Sequence, residues 1–258
     1  MLAGACTPDR ITLRYGLEAG RTLRYRLSLD ARVHRTLSDQ PAEQRVSATF
    51  ATSQSILELL PGGRARARIT LEPQTLTVDG RGAQPGPDQE FVVILSPDGS
   101  VTEIESASGA PPEVLLPVGI DRLLPRLRPV LPPGPVVTGD RWGSDLDVTD
   151  ESGSLSLDVS SRLSALGLAG GRRAALIRSS YTSPVSRRET FANAIADIDG
   201  RDVGAQEAWF ALDGYLVRAN GDSVGDYDVT FRPPGGDAGV GSVTGTLAVE
   251  LHTEIELL

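Results

Sequence analysis

The sequence predicts a mainly β protein with one short helical segment, an α+β chain organised as a large curved antiparallel sheet. Three observations predict it. Long stretches alternate apolar and polar residues at a period of two, and Gly- and Pro-rich punctuation cuts them into roughly a dozen strands. One central stretch abandons that alternation and repeats its leucines at three- and four-residue steps, as one face of a helix does. The segments on either side of it carry similar turn motifs in the same order, which predicts two similar β-rich halves. Strands that so outnumber helices exclude a regular βα alternation.

Along the chain, residues 1–9 read as a lipidation site and tether and residues 10–258 as a single β-rich domain. Within that domain, half one spans 10–109, a helical connector 110–135, and half two 136–258. Leu23, Tyr25, Leu27, Leu29, Ala31 and Val33 alternate with Arg24, Arg26, Ser28, Asp30, Arg32 and His34, giving a long strand with one apolar and one charged face. Val46, Ala48 and Phe50 open a second strand. Its apolar positions then move to Ile56, Leu57 and Leu59, which predicts a bulge near Ser53. Pro61-Gly62-Gly63 turns the chain into Ala65–Leu71, and Pro73, which cannot donate to a ladder, marks a bulge or an edge. Phe91–Leu95 and Val101–Ile104 form a hairpin about Pro97-Asp98-Gly99.

In the connector, Leu116, Ile120, Leu123, Leu124, Leu127 and Leu131 share a helical face, and Pro125 predicts a kink there. The connector is thus expected as a Pro-kinked lid over the apolar side of the sheet. Beyond it, Gly170-Gly171-Arg172-Arg173-Ala174-Ala175 echoes Gly62-Gly63-Arg64-Ala65-Arg66-Ala67, and Asp213-Gly214 repeats the earlier Asp-Gly turn. Val243, Leu247, Val249, Leu251, Ile255 and Leu257 alternate with Thr244, Thr246, Glu250, His252, Glu254 and Glu256 in a last long strand. Its charged side discourages edge pairing.

A net charge of −9 excludes nucleic acid as a partner, because that binding requires clustered cations to displace counterions. All 25 basic residues are Arg. With one cysteine and two histidines, a zinc site of nitrogen and sulfur ligands is excluded. His34 and His252 lie on polar strand faces with no nucleophile in evidence, so no catalytic residues and no enzyme are expected. Carboxylates gather at Asp145, Asp147, Asp150 and Glu151, at Asp197, Asp199 and Asp202, and at Asp222, Asp226 and Asp228. Their spacing departs from the twelve-residue calcium loop, so they are read as loop acids, with no metal and no cofactor. A transmembrane barrel is disfavoured by the scarcity of aromatic residues, which such barrels use as girdles.

The small aliphatic inner face would suit acyl chains if it encloses a cavity, and a packed core if it does not. Leu2-Ala3-Gly4-Ala5-Cys6 resembles the lipobox of bacterial lipoproteins, with Leu2 one place further from the cysteine than the pattern has it. Together with the long alternating strands and the apolar connector, it resembles the envelope lipoproteins and carriers of the LolA/LolB and LppX/LprG group. That resemblance implies an unclosed half-barrel under a helical lid, Cys6 as the lipidated residue, and an anchor in the cell envelope facing the periplasm or exterior. It implies an acyl chain or other apolar ligand held by Leu27, Leu29, Phe50, Leu116, Ile120, Leu123, Leu124 and Leu127. The alternative is a structural lipoprotein with packed cores and an envelope protein as its partner.

Overall fold

Alternation builds the wall. In the computed structural model, which describes residues 10–118, 120–150, 153–190, 194–233 and 241–258, the strands are β1 (Thr22–Leu37), β2 (Gln40–Leu59), β3 (Ala65–Val78), β4 (Arg81–Gly82), β5 (Gln89–Leu95), β6 (Val101–Ser108), β7 (Arg141–Asp150), β8 (Gly153–Ala169), β9 (Arg172–Thr190), β10 (Ile195–Ala211), β11 (Tyr215–Arg232) and β12 (Val243–Leu257). Tyr25, Leu27, Leu29, Ala31 and Val33 of β1 are buried, while Arg24, Arg26 and Asp30 between them are exposed. Side chains of opposite parity point to opposite faces, so one face looks into the core and the other into solvent.

The sheet closes. Its order is β2-β1-β12-β11-β10-β9-β8-β7-β6-β5-β3-β4, and β2 also pairs with β3. Eleven strands therefore form a ring, with the two-residue β4 attached to β3 alone. The expected open half-barrel is incorrect, and the resemblance to the half-barrel lipoproteins falls with it. β1 has β2 on one edge, from Thr22↔Ser55, and β12 on the other, from Tyr25↔Leu257. Alternation fixes which face of a strand is buried. It is silent on whether the first strand pairs with the last.

The number of strands then dictates the path of the connector. A ring of consecutive antiparallel neighbours needs an even count, so an odd one must contain a like-directed pair. That pair is β6 and β7, which run parallel and meet through Glu103↔Thr149. Parallel neighbours require the chain to return along the full height of the sheet between them, and residues 109–140 make that return through the middle of the barrel. Leu115, Leu123, Leu124, Leu127 and Val130 pack in one cluster with Leu27, Leu29, Phe50, Ile69 and Val148 of the wall. The connector is thus an internal plug, not a lid. Among the described residues its helical content is one 3-10 stretch, Glu113–Val118, and the four-residue helix Ile120–Leu123. The helix stops before Pro125, and the carbonyl of Leu123 accepts from the N–H groups of Arg126 and Leu127.

The bulges follow from what lies inside. β2 slips against β3 between Thr49 and Phe50, where Phe50 faces Pro73 and Thr49 faces Thr75, so Pro73 marks a bulge. A second slip lies between Ile56 and Glu58, not near Ser53. The apolar pattern lapsed around Ser53 because the inward residues there are Thr52 and Gln54, both buried, while the strand itself runs on. Gly62-Gly63 and Gly170-Gly171, all at positive φ, turn β2 into β3 and β8 into β9.

Residues 10–21 close one end. Ile11 bridges to Val136, Tyr15 stands edge-on to Phe210 at 4.7 Å, and the Gly16 N–H donates to the Gly214 carbonyl at 2.8 Å. Gly214 has a φ of 94°, and a Cβ there would lie 2.6 Å from the Gly16 nitrogen, so only glycine admits this seal.

Candidate functional site

Between its ends the barrel is full. Leu27, Leu29, Phe50, Leu123, Leu124 and Leu127 come together, packed against one another. The void beside Leu124 and Leu127 is about 30 Å³, room for one water and not for an acyl chain. The expected lipid shelter beneath the connector is therefore incorrect, and so is the lipid-anchored carrier built on it. Burial pushes the Tyr25 hydroxyl, next to that void, up to about 12, as a dry interior requires. The side chain of Ile120, and Cys6 with its tether, lie outside the described residues.

One side of the plug is polar, and the wall answers it. Arg126 donates through Nη2 to Oδ2 of Asp202 at 2.6 Å, with side chains only 8 % and 7 % exposed. The Tyr227 hydroxyl donates to the other oxygen of Asp202, Arg126 lies 5.1 Å from the centre of the Tyr181 ring, and Gln206 donates to the Arg126 carbonyl at 2.8 Å. Burial, then the Asp202 charge, pushes the Tyr227 hydroxyl well above its ordinary range. Space for these groups comes from glycine. A Cβ on Gly204 would lie 2.5 Å from the Tyr181 hydroxyl, and one on Gly225 would overlap Asp202 and Tyr227. Arg128 donates to Gln54 at 2.7 Å. The two buried charges meet each other, Asp202 also accepts from Tyr227 and the guanidinium lies against the Tyr181 ring, while Nε of Arg126 has no hydrogen-bond partner among the described residues.

Among the described residues, the end opposite Tyr15 is open. There the barrel holds a cavity of about 520 Å³, walled by Val33, Leu37, Ile198, Val229, Phe231 and Leu247, with Leu116 of the plug also lining it. Leu116 thus stands apart from the other connector leucines singled out by sequence. Arg35, Glu43, Asp79 and Arg187 bring charge to the same cavity. Glu43 is surrounded by Arg45 at 3.2 Å, Arg32 at 3.6 Å and His34 at 3.8 Å, and Asp79 accepts the backbone N–H of Arg45 at 2.9 Å. Sequence reasoning missed this site because its residues come from the ends of β1, β2, β9, β10, β11 and β12, which no local pattern links.

Both histidines fall on the outer face. His252 pairs with Asp222 at 2.8 Å and with Glu254 at 3.5 Å. Of the carboxylates read as loop acids, Glu151 lies outside the described residues and the others lie in strands: Asp197 pairs outward with Arg188 at 2.6 Å, whereas Asp202 turns inward to the plug. Among the described residues no group of three or more His, Cys, Asp or Glu could hold a metal ion. No described helix is long and apolar enough to cross a membrane. The wall itself presents Arg24, Arg26, Asp30, Glu250, Glu254 and Glu256 outward, the reverse of the apolar band that faces lipid in a membrane barrel.

No protein-family profile matches the chain, and no curated protein matches it. Among solved structures, it is similar to Pseudomonas aeruginosa OccK2 (OpdF) in complex with glucuronate, at 8 % identity and a TM-score of 0.25, covering 93 % of this chain and 100 % of that one. Pseudomonas aeruginosa OccK11 (OpdR) follows at 11 % identity and a TM-score of 0.24, covering 94 % and 99 %. Similarity at that level transfers no activity, and the site is read from its own geometry.

Proposed function

We infer that this protein is a binding barrel that takes one small organic molecule in the cavity at its open end. The cavity's size carries the reading: about 520 Å³ falls within the roughly 300–1,000 Å³ of small-molecule pockets, and its walls are mainly apolar with a few convergent polar groups, as in such pockets. Closed barrels of this width either fill their interior, hold a ligand or leave a channel. The plug removes the channel, since Leu115, Leu123, Leu124 and Leu127 occupy the space a solute would cross. It also sets the depth of the site at Leu116.

The neutral fluorophore N-phenyl-1-naphthylamine tests the site. Saturable one-to-one binding is expected, lost in Leu247→Trp and in Ala194→Trp, which fill the cavity from β12 and from the residue preceding β10, with melting temperatures close to that of the parent. Absence of saturable binding, or binding unchanged in both variants, overturns the reading.

A further inference from the structure

We propose that the molecule held at the open end is a compact organic anion, with Arg35 as its counter-charge. This rests on the binding reading above and adds the ligand's class. The first support is the local charge. Although the chain carries a net −9, the cavity lining sets Arg35 and Arg187 against only Glu43 and Asp79, and the Glu43 carboxylate is engaged by Arg32, His34 and Arg45 on the outer face. Asp79 is engaged by the Arg45 backbone.

The second support is the placement of Arg35. It shares strand parity with Val33 and Leu37, which also line the cavity, and among the described residues it makes no ion pair. A guanidinium at the edge of an apolar chamber is a ready partner for an oxyanion, since charge-assisted hydrogen bonds of this kind are about twice as strong as neutral ones. The third support is depth. The packed plug ends the chamber at Leu116, so the apolar body must be short, of the size of one or two rings, and not a long chain.

Isothermal titration with 2-naphthalenesulfonate, 2-naphthalenesulfonamide and 2-naphthylmethylammonium, which share one apolar body and differ in charge, tests the class. The sulfonate is expected to bind roughly tenfold or more tightly than the sulfonamide, and the ammonium most weakly. In Arg35→Gln the sulfonate should fall to the level of the sulfonamide while the sulfonamide stays unchanged. Because Arg35 is exposed, the variant should keep the parent's melting temperature. Equal binding of all three, in a manner abolished by Leu247→Trp, overturns the anion and leaves the site. A sulfonate preference that persists in Arg35→Gln overturns the role of Arg35. Failure of all three to bind removes the site and the anion together.

Discussion

Asp202 shares strand parity with Ala196 and Ile198, both buried, and this places its charge inside the barrel, where Arg126 meets it at 2.6 Å. Removing one member of such a pair leaves the other charged and dry, at a cost of about 3–5 kcal/mol. Asp202→Leu is therefore expected to lower unfolding stability by about that amount in urea titration. Arg126→Met combined with Asp202→Leu should recover most of the loss, and a double variant no better than the single one would show that the pair does not hold the plug. A pH dependence belongs to His252. Its hydrogen bond to Asp222, and then that to Glu254, raise its pKa above 6.5. A group raised on folding stabilises the protein fully below its unfolded value and loses that contribution as pH rises through the folded value. The stability difference between the parent and His252→Gln should thus be largest below pH 6.5 and vanish at higher pH. The contribution is small, because the ring is 39 % exposed. Both histidines were legible from alternation as polar-face residues. Asp202 was legible only as an acid at an apolar parity, a signal that the reading of loop acids passed over.

At the level of elements, hydrogen exchange separates a plug from a lid. The Leu127 N–H donates to the Leu123 carbonyl at 3.0 Å and the Leu131 N–H to the Asp98 carbonyl at 3.0 Å, both inside the core. These amides are expected to exchange as slowly as those in the middle of β10, and exchange at the rate of surface turns would contradict the internal path. Strand identities and the hairpins about Gly99 and Gly214 could be read directly, since period-two patterns and turn chemistry are local. The connector's apolar face was legible too, at Leu123, Leu124 and Leu127, but not its surroundings. An apolar stripe packs equally well beneath a sheet or within a barrel. Its polar side meets buried partners: Arg126 meets Asp202 and Arg128 meets Gln54. The apparent break in β2 has the same origin, because Gln54 faces inward to receive Arg128.

For the whole molecule, closure separates what was legible from what was not. Curvature follows from long strands, yet the pairing of β1 with β12 joins residues more than two hundred positions apart, as in Tyr25↔Leu257, and leaves no trace in any short window. The open-end cavity inherits that illegibility, for it exists only where six strand ends meet. Ring parity supplies the remaining consequence. Since the like-directed neighbours flank residues 109–140, the first six strands lie before the plug in the chain and the last six after it, and the protein is wound about its own middle like thread on a spool. Nothing has to be passed through a finished hole. The core segment can be laid down first, and the final seam between β1 and β12 fastened round it, a step slowed by the length of chain it must span.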